Sequence, residues 1–571
     1  MSELALGAVG ISRWIQQQAE DNANAVALVI AGKDGKPATH ATFQELEDAV
    51  QRTAAGLSRQ GIKPGERVIL MVEPGLEFFA AAFALFRIGA VMVGVDPGMG
   101  IRRVRKALGR VKPVGFIGNW KAQLARVLFR WGDNTVRLSI TAGSPAVHKF
   151  LHLLGALRGF RPTALTFETL KQPPSPNDIT HPWQPKAAGN DDPAAILFTS
   201  GSTGPAKGVL YTHGLFEAQL DALRNVYSIH TGERELATFP LFALFAPALG
   251  MTAVIPRMDF TRPGSADPDH LMELIKTHSV SSMFGSPALL KRLAGSATAP
   301  EPRLDSLRRV VSAGAPVPAE LIAKLADALP VAASIHTPYG ATEALPVASI
   351  DAREILTDTR AATETGQGVC VGTPCRDMEV RILPIDDGAL SPEALDEPLP
   401  TGTIGEITVR GPVVTATYID DAQATHIAKL VHPSGLFHRM GDLGYLDSRG
   451  RIWFCGRKSE RVTLARTELY TAPVEAIFNR HPAVARSALV GVLLGGEMQP
   501  VVVIELVRRA SWDPPIDRRT LIDTLLSDAS EHPHTAGIRR VLFYRQFPVD
   551  PRHNAKIDRP ALAGWAAGQL R

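Results

Sequence analysis

The sequence alternates short apolar runs with longer segments of helical periodicity, and this alternation limits the fold more than any other feature. Thr42 followed by Glu45 is a capping-box signature, with apolar residues at helical spacing after it. The apolar segment 76–88 predicts a further helix. The strand-like runs are 68–72, 90–95, 114–117, 196–198, 282–284 and 310–311. Strands separated by helices favour parallel sheets of βαβ units, and therefore the α/β class.

The length and the punctuation of the chain predict more than one domain. Its 571 residues exceed what one hydrophobic core usually fills. Prolines among Asn, Asp and Gly in 171–192 are typical of an exposed connector, and Pro and Gly punctuate a second region at 384–402. We predict a large N-terminal domain of stacked βαβ sub-domains at 1–457. A smaller, mobile α+β cap domain follows at 458–571.

Charge and cysteine content argue against several classes of protein. The 61 Lys and Arg residues against 57 Asp and Glu give a net charge of +4, too balanced for a nucleic-acid-binding protein. Cys370, Cys375 and Cys455 lack paired spacing, so we expect buried thiols in a reducing, cytoplasmic compartment. Glu3 stands where a signal peptide would be basic. The most apolar early run, 78–86, is shorter than the roughly 20 residues that a membrane span needs.

A loop rich in glycine and hydroxyl groups follows the apolar run 194–198. It reads Thr199-Ser200-Gly201-Ser202-Thr203-Gly204-Pro205-Ala206-Lys207-Gly208. Glycine allows close backbone approach, hydroxyl and amide groups donate to phosphate oxygens, and lysine adds positive charge. A Walker A loop is excluded because Gly208 follows Lys207 in place of Ser or Thr. By itself the segment is either a phosphate-binding loop or a flexible polar hairpin.

The loop resembles the signature loop of the adenylate-forming superfamily, which comprises acyl-CoA synthetases, luciferases and peptide synthetase adenylation domains. Six further segments resemble motifs of that superfamily and occur in the same order. They are Ser312-Ala313-Gly314-Ala315-Pro316, Tyr339-Gly340-Ala341-Thr342-Glu343, Gly405-Glu406-Ile407 with Arg410-Gly411-Pro412, Gly441-Asp442, Gly456-Arg457 and Lys556-Ile557-Asp558-Arg559. The resemblance spans almost the whole chain from Thr42 onward.

The resemblance implies ATP and Mg²⁺ as cofactors and gives each motif a role. The implied ATP-binding residues are Thr199, Ser200, Gly201, Ser202, Thr203, Gly204, Gly314, Ala315, Pro316, Tyr339, Gly340, Asp442 and Arg457. The implied catalytic residues are Lys207, Thr342, Glu343 and Lys556. Glu343 and Thr199 would hold Mg²⁺, which prefers oxygen ligands. Lys556 would bridge the attacking carboxylate and the α-phosphate, where charge builds in the transition state.

Two departures from the superfamily pattern concern the second half-reaction of acyl-CoA synthetases. Ser459 stands where the hinge usually has Asp or Lys. Arg466 occupies the place of a glycine that lets pantetheine pass close to the backbone. We therefore expect thiol transfer to coenzyme A to be obstructed.

The segment 239–242 resembles the acyl-pocket motif of the superfamily. The predicted substrate-pocket residues are Phe239, Leu241, Phe242, Ala243, Phe245, Phe284 and Gly285. Ala243 takes the place of a larger gating residue, which favours a substrate that is bulky near its carboxylate. The alternative is that these are core residues of the large domain.

The runs 95–100, 239–250, 284–289 and 552–556 look most like the subgroup that forms β-lactones in bacterial long-chain olefin biosynthesis. This resemblance implies adenylation of a 2-alkyl-3-hydroxy fatty acid, followed by attack of the β-hydroxyl on the acyl-adenylate. His213 and His336 are candidate bases, or else structural histidines. The alternatives are a long-chain acyl-CoA or acyl-carrier ligase and a non-catalytic adenylate-binding scaffold.

The implied partners are a small-molecule β-hydroxy fatty acid and other enzymes of the olefin pathway, in one assembly. The segment 147–160 mixes leucines with basic side chains and predicts an amphipathic helix. It would contact a membrane peripherally or a partner enzyme, or else lie on the surface of its own domain.

Overall fold

The computed structural model describes residues 10–32, 36–95, 99–132, 134–143, 163–172, 188–198, 206–296, 304–507, 517–549 and 556–570. The predicted phosphate loop from Thr199 to Gly204, the segment 147–160 and most of the connector 171–192 lie outside the described residues.

The strands belong to four sheets. They are β1 (Val26–Ile30), β2 (Thr39–Thr42), β3 (Arg67–Met71), β4 (Val91–Gly94), β5 (Gly115–Gly118), β6 (Leu138–Thr141), β7 (Thr163–Thr166), β8 (Pro193–Phe198), β9 (Gly208–Thr212), β10 (Arg234–Leu236), β11 (Thr252–Ile255), β12 (Ser282–Phe284), β13 (Arg309–Val311), β14 (Ser334–Ala341), β15 (Ala344–Asp351), β16 (Val369–Pro374), β17 (Glu379–Leu383), β18 (Gly405–Arg410), β19 (Lys429–His432), β20 (Gly435–Leu446), β21 (Ile452–Arg457), β22 (Val462–Thr463), β23 (Glu468–Leu469), β24 (Val484–Leu494), β25 (Glu497–Leu506) and β26 (Arg540–Phe543).

Several of the helices connect consecutive strands that pair in parallel. The helices are α1 (Ile11–Asn22), α2 (Phe43–Arg59), α3 (Leu76–Arg87), α4 (Ile101–Val111), α5 (Trp120–Phe129), α6 (Phe167–Lys171), α7 (His213–Tyr227), α8 (Pro240–Ala243), α9 (Phe245–Ala248), α10 (Pro268–Thr277), α11 (Pro287–Ser296), α12 (Ala319–Ala328), α13 (Ala352–Glu354), α14 (Arg360–Glu364), α15 (Ala422–Ala428), α16 (Thr471–Asn479), α17 (Arg518–Ser530) and α18 (Arg559–Leu570). Thr42 and Glu45 form the predicted capping box at the start of α2. Within the described part of the chain, no helix has the length and apolar character to cross a membrane.

The first sheet has seven strands in the order β7-β6-β5-β3-β4-β8-β9. Its pairs are parallel except the last, where β9 runs antiparallel to β8. Helices cover both faces, which explains why its strands read as continuous apolar runs. On one face α2 and α3 form a layer that also packs against the second sheet. On the other face lie α4 and α5.

The second sheet has 14 strands and two halves of different character. From β1 through β11, β10, β12 and β13 to β14 the pairs are parallel. From β14 through β15, β16, β21, β20 and β18 to β17 the pairs are antiparallel. The sequence analysis, which expected βαβ units only, did not foresee the antiparallel half. The α/β class itself is confirmed.

The residues after β21 pack around cores of their own. One core joins α16 and α17 to the inner face of β24 and β25. A second core joins the opposite face of those strands to α18. These cores begin at Val462, shortly after the predicted boundary between 457 and 458. The division into two domains and the mobility of the cap stay predictions.

Candidate active site

A cavity of about 2920 Å³ lies at the carboxyl ends of the parallel strands of both sheets. Ligands of open α/β sheets bind outside these strand ends. The predicted site residues that line it are Lys207, Phe239, Leu241, Phe242, Phe245, Phe284, Gly314, Ala315, Pro316, Tyr339, Gly340, Thr342, Glu343, Asp442, Arg457 and Lys556. The structure therefore brings together side chains that are up to 349 positions apart, from Lys207 to Lys556.

Tyr339 and Asp442 form the polar wall of one end of the cavity. The Tyr339 hydroxyl donates to Asp442 Oδ2 at 2.7 Å, and both residues are buried. Arg457 lies opposite Asp442 on the neighbouring strand, with Nη1 2.9 Å from Asp442 Oδ1. That contact lacks hydrogen-bond geometry, so Oδ1 accepts no hydrogen bond within the described chain. Burial raises the pKa of Asp442, and the Arg457 charge opposes this rise. The arrangement leaves a buried carboxylate oxygen beside the cavity that accepts no hydrogen bond from the described residues.

Beside this wall, two glycines allow backbone conformations or close contacts that a residue with a side chain would not. A Cβ added at Gly340 would lie 2.4 Å from the carbonyl oxygen of Ala344, so no side chain fits there. Gly314 has φ +96°, in the left-handed region that favours glycine. The turn that it forms places Ala315 and Pro316 at the cavity.

Glu343 and Lys207 lie at the charged part of the cavity, and Tyr418 contacts both. The Tyr418 hydroxyl donates to Glu343 Oε1 at 2.7 Å. The Lys207 ammonium lies 4.8 Å from the centre of the Tyr418 ring, within the range of a cation–π interaction. Ile419 N donates to Gly208 O, and Val209 pairs with Tyr418. The segment around Tyr418 thus fixes the residues that leave the phosphate loop.

A second set of contacts holds the backbone of Thr342 and Glu343. The Tyr211 hydroxyl donates to Thr342 O at 2.5 Å. Thr415 donates to Glu343 O through its N–H at 2.9 Å and its hydroxyl at 3.1 Å. Lys429 is buried and donates to the Thr415 carbonyl. Burial lowers the pKa of Lys429 to about 7, and the Glu343 charge opposes this.

The carboxylate of Glu343 fits a magnesium ion carried by a nucleotide. Among the described residues, no cluster of three or more His, Cys, Asp or Glu could hold a metal alone. Mg²⁺ is usually held by one or two carboxylates together with substrate phosphates and water. Glu343 at the cavity supplies one such carboxylate. The second predicted ligand, Thr199, lies outside the described residues.

Lys556 lies at the cavity in the segment that precedes α18. Ile557 pairs with Val549, and Asp558 N donates to Pro548 O at 2.8 Å. The half-buried Arg559 forms salt bridges with Glu460 at 2.9 Å and with Glu475. These contacts anchor the lysine segment to the rest of the C-terminal part.

The opposite part of the cavity is apolar and aromatic. Phe242 and Phe284 stack with ring centres 4.6 Å apart, and Phe239 contacts both rings at 5.3 and 5.9 Å. Leu241 and Phe245 continue this wall. Two residues predicted for the pocket do not line it. Ala243 ends the one-turn helix α8 and faces the core, and Gly285 packs against Leu290, which a Cβ would meet at 2.8 Å.

Neither candidate histidine lines the cavity. His213 is fully buried against the ring of Phe86, and burial lowers its pKa. His336 contacts Ser334 Oγ at 2.9 Å and the ring of Tyr227, and burial lowers its pKa as well. The geometry supports the structural alternative for both. Arg466 is exposed on the hairpin between β22 and β23, away from the cavity lining.

The sequence analysis missed Tyr418 and Lys429. Tyr418 follows the segment Arg410-Gly411-Pro412, which was recognised only as a motif. The sequence around Tyr418 contains no feature that would identify this tyrosine as a site residue. The available signal for Lys429 was its position in the otherwise apolar run 427–431. A lysine that is buried in such a run needs polar partners.

The sequence profile of the AMP-binding enzyme family matches residues 15–419. The chain is 45% identical to the olefin β-lactone synthetase of Xanthomonas campestris over 94% of this chain and 93% of that protein. The olefin β-lactone synthetase of Stenotrophomonas maltophilia is 44% identical, covering 92% and 91%. A 4-coumarate–CoA ligase of Humulus lupulus is 27% identical, covering 79% and 76%.

Solved structures agree with the fold over the whole chain. An amide bond synthetase from Marinactinospora thermotolerans superposes with a TM-score of 0.75 at 23% identity, covering 97% of this chain and 99% of that one. The o-succinylbenzoate coenzyme A synthetase of Bacillus subtilis, solved with ATP and magnesium ion, gives 0.70 at 20% identity, covering 96% and 98%.

Proposed function

Because the chain belongs to the olefin β-lactone synthetases of the AMP-binding enzyme family, we propose that it converts a 2-alkyl-3-hydroxy fatty acid and ATP into a β-lactone, AMP and pyrophosphate. It is thus an AMP-forming, ATP-dependent ligase. The observation that carries the proposal is one cavity with a charged, hydrogen-bonded end and an aromatic end. Such a cavity suits a nucleotide and a hydrocarbon chain that meet at a carboxylate.

The reaction has two steps and balances without a redox partner. First, a carboxylate oxygen of the acid attacks the α-phosphorus of ATP, and the bond to the pyrophosphate oxygen breaks. Then the β-hydroxyl oxygen attacks the acyl carbon, its proton passes to the departing phosphate of AMP, and the bond between the acyl carbon and the AMP oxygen breaks. A four-membered lactone ring closes, and AMP leaves with the electron pair of the broken bond.

The charged end supports roles for its residues in the first step. We assign Asp442 to the ribose hydroxyls, and its Oδ1, which lacks a hydrogen-bond partner within the part of the chain that the structure describes, supports this assignment. We assign Tyr339, which donates to the same carboxylate, to the adenine ring. Lys207 and Lys556 supply positive charge for the phosphate oxygens and the attacking carboxylate. When bound with ATP, Mg²⁺ would neutralise further phosphate charge through Glu343.

The second step needs proximity more than a strong base. A hydroxyl inside the same molecule reacts with a very high effective molarity, provided that water and other nucleophiles stay out. The aromatic wall of Phe239, Phe242 and Phe284 excludes water from the acyl side. Hydroxyl attack is therefore expected to be faster than hydrolysis or attack by a thiol.

The test supplies ATP, Mg²⁺ and a 2-alkyl-3-hydroxy fatty acid without coenzyme A, and identifies the organic product by NMR. We expect a β-lactone and one AMP per lactone. A control acid without the 3-hydroxyl should give pyrophosphate release and no lactone. Product that forms only with coenzyme A, as a thioester, would overturn the proposal.

The same resemblance implies neighbouring enzymes of a pathway for this reaction. An enzyme that makes the hydroxy acid and one that decarboxylates the lactone are the implied neighbours in the pathway, in an assembly with this chain. The three free cysteines support a reducing compartment, and we place the reaction in the cytoplasm.

A further inference from the structure

One stretch of the chain departs from the balanced charge of the whole. Residues 99–132 contain basic side chains and no Asp or Glu, whereas the full chain has 61 basic against 57 acidic residues. The basic residues are Arg102, Arg103, Arg105, Lys106, Arg110, Lys112, Lys121, Arg126 and Arg130. The stretch comprises α4, β5 and α5.

Helix α4 carries five of these nine basic side chains and exposes four of them. Val104 and Leu108 pack on the first sheet, and the intervening basic residues are exposed. Within the described chain, none of Arg102, Arg103, Arg105 and Lys106 forms a salt bridge. Arg110, at the far end of the helix, lies 3.7 Å from Asp421. The exposed face of α4 is therefore strongly positive.

Helix α5 lies beside α4 on the same face of the sheet and exposes an apolar stripe. Trp120, Leu124 and Leu128 follow one another at four-residue spacing, so they share one side of the helix. Trp120 is 48% exposed and Leu128 is 41% exposed. Ile101, at the start of α4, is also 48% exposed. Exposed large apolar side chains in one region indicate an interaction surface.

The same two helices border the cavity. Ile101, Lys121 and Phe129 line it, together with residues at the carboxyl ends of β3 and β4. The positive and apolar surface formed by the outer sides of α4 and α5, here called the α4–α5 face, is therefore continuous with the cavity wall.

We propose that the α4–α5 face docks on an anionic lipid bilayer. Basic side chains attract the negative headgroups, and Trp and Leu side chains enter the boundary between headgroups and acyl chains. A nucleic acid would match the charge but not the stripe of Trp120, Leu124 and Leu128. The benefit of the contact rests on the proposed function, since an acid with two alkyl chains partitions into bilayers. The contact itself does not depend on catalysis.

The experiment measures co-sedimentation of the full chain with vesicles, without ATP or substrate. We expect binding to phosphatidylcholine vesicles that contain phosphatidylglycerol, and little binding to phosphatidylcholine alone. High salt should weaken the binding because it screens the charges. Arg102→Glu/Arg105→Glu/Lys106→Glu should weaken it by on the order of 100-fold, given the contribution of each basic residue near such a surface. Trp120→Ser/Leu128→Ser should weaken it by roughly tenfold, because apolar burial adds to the charge attraction.

A matched control carries the same change of charge elsewhere. Lys324→Glu/Arg519→Glu/Arg540→Glu alters three exposed basic residues on other elements and should bind like the unaltered chain. Equal loss in the control would mean that net charge alone drives binding, and would overturn the proposal. Absence of binding to the anionic vesicles would also overturn it and favour an acidic protein as the occupant. Failure of lactone synthesis would leave the vesicle result unaffected, so the two proposals fail separately.

Discussion

The two ends of the cavity are built by different means. The charged end, which we propose binds the nucleotide, is called the nucleotide end, and the aromatic end, which we propose binds the acid, is called the acyl end. At the nucleotide end, hydrogen bonds fix the direction of the polar groups, as between Tyr339 and Asp442 and between Tyr418 and Glu343, both at 2.7 Å. At the acyl end, Phe242 and Phe284 are fixed by mutual packing of their rings. One end is thus specified by direction and charge, and the other by shape.

The difference determines how each end tolerates change. A buried polar group that loses its partner costs about 1–3 kcal/mol, and more when it is charged. An apolar swap of similar volume usually costs less than about 1.5 kcal/mol. We therefore expect large and specific effects at the nucleotide end, and smaller effects on substrate preference at the acyl end.

Lys556→Ala should give the largest effect, since this lysine adds charge where the transition state needs it. We expect the rate of ATP–pyrophosphate exchange to fall by about 100-fold to 1,000-fold, as for the loss of one oxyanion donor. The KM for ATP should change little, because the interaction strengthens only in the transition state. Lys207→Ala is the matched variant and should raise the KM for ATP. A raised KM with unchanged kcat in Lys556→Ala would contradict the assigned role.

Tyr418→Phe should give the next largest effect, and it isolates a single hydroxyl. The ring stays near Lys207, while Glu343 loses its hydrogen bond. Hydrogen bonds to charged groups contribute about 1.5–3 kcal/mol, so the Mg²⁺ concentration for half-maximal rate should rise about tenfold to 100-fold. The measurement is a Mg²⁺ titration of the exchange rate at saturating acid.

Tyr445→Phe serves as the control, because its hydroxyl donates to Gln367 O outside the cavity. It should leave the Mg²⁺ dependence unchanged. An unchanged titration in Tyr418→Phe would show that Tyr418 does not position Glu343.

The same contrast explains what the sequence could predict. Asp442, Glu343 and Lys556 were predicted because each lies in a short local segment that resembles a motif of the superfamily, and all three line the cavity. Tyr418 was not found because its role depends on pairing between its segment and β9, some 200 positions earlier in the chain. Parallel strands were anticipated from helix–strand alternation. The strands of the antiparallel half of the second sheet are joined by connections of very different length, which follow no such regular alternation.

The residues that line the acyl end were predicted less well, because the type of a residue does not determine the shape of the pocket around it. Phe239, Phe242 and Phe284 could be placed by their apolar character and by the resemblance. Ala243 belongs to the same run, but the turn of α8 directs it to the core. Periodicity over one helical turn is too short to reveal which side faces the cavity.

Phe284→Leu should have a moderate effect that is confined to the acyl substrate. It keeps an apolar wall and removes ring stacking, which contributes about 0.5–1.5 kcal/mol beyond buried area. We expect kcat/KM for the acid to fall by about twofold to tenfold, with the KM for ATP unchanged. The check is a comparison of acids of several chain lengths. A change in the KM for ATP equal to that for the acid would mean that the two ends are not independent.

Glu235→Gln should give the smallest effect, which is a change in thermal stability. It tests whether the surroundings of Glu235, behind the aromatic wall of the acyl end, are apolar. Glu235 lines a small pocket of about 70 Å³ that Phe242 and Phe284 also line. Burial raises the pKa of Glu235 from 4.5 to about 7, and the N–H of Phe284 donates to its Oε1 at 2.7 Å. The unfolded carboxyl ionises at lower pH than the folded one, so Glu235 reduces stability progressively as the pH rises from about 4.5 to about 7.

Gln cannot ionise and keeps an acceptor for Phe284, so the variant should gain thermal stability relative to the unaltered chain at about pH 8 but not at about pH 5. Thermal unfolding at both pH values measures this difference. Glu233→Gln is the control: although burial opposes it, the Arg309 hydrogen bond lowers the pKa of Glu233, so its loss should destabilise at both pH values. An equal shift of Tm at both pH values for Glu235→Gln would show that this carboxyl is ionised in the folded chain. The space behind the aromatic wall would then be polar, and the contrast between the two ends would weaken.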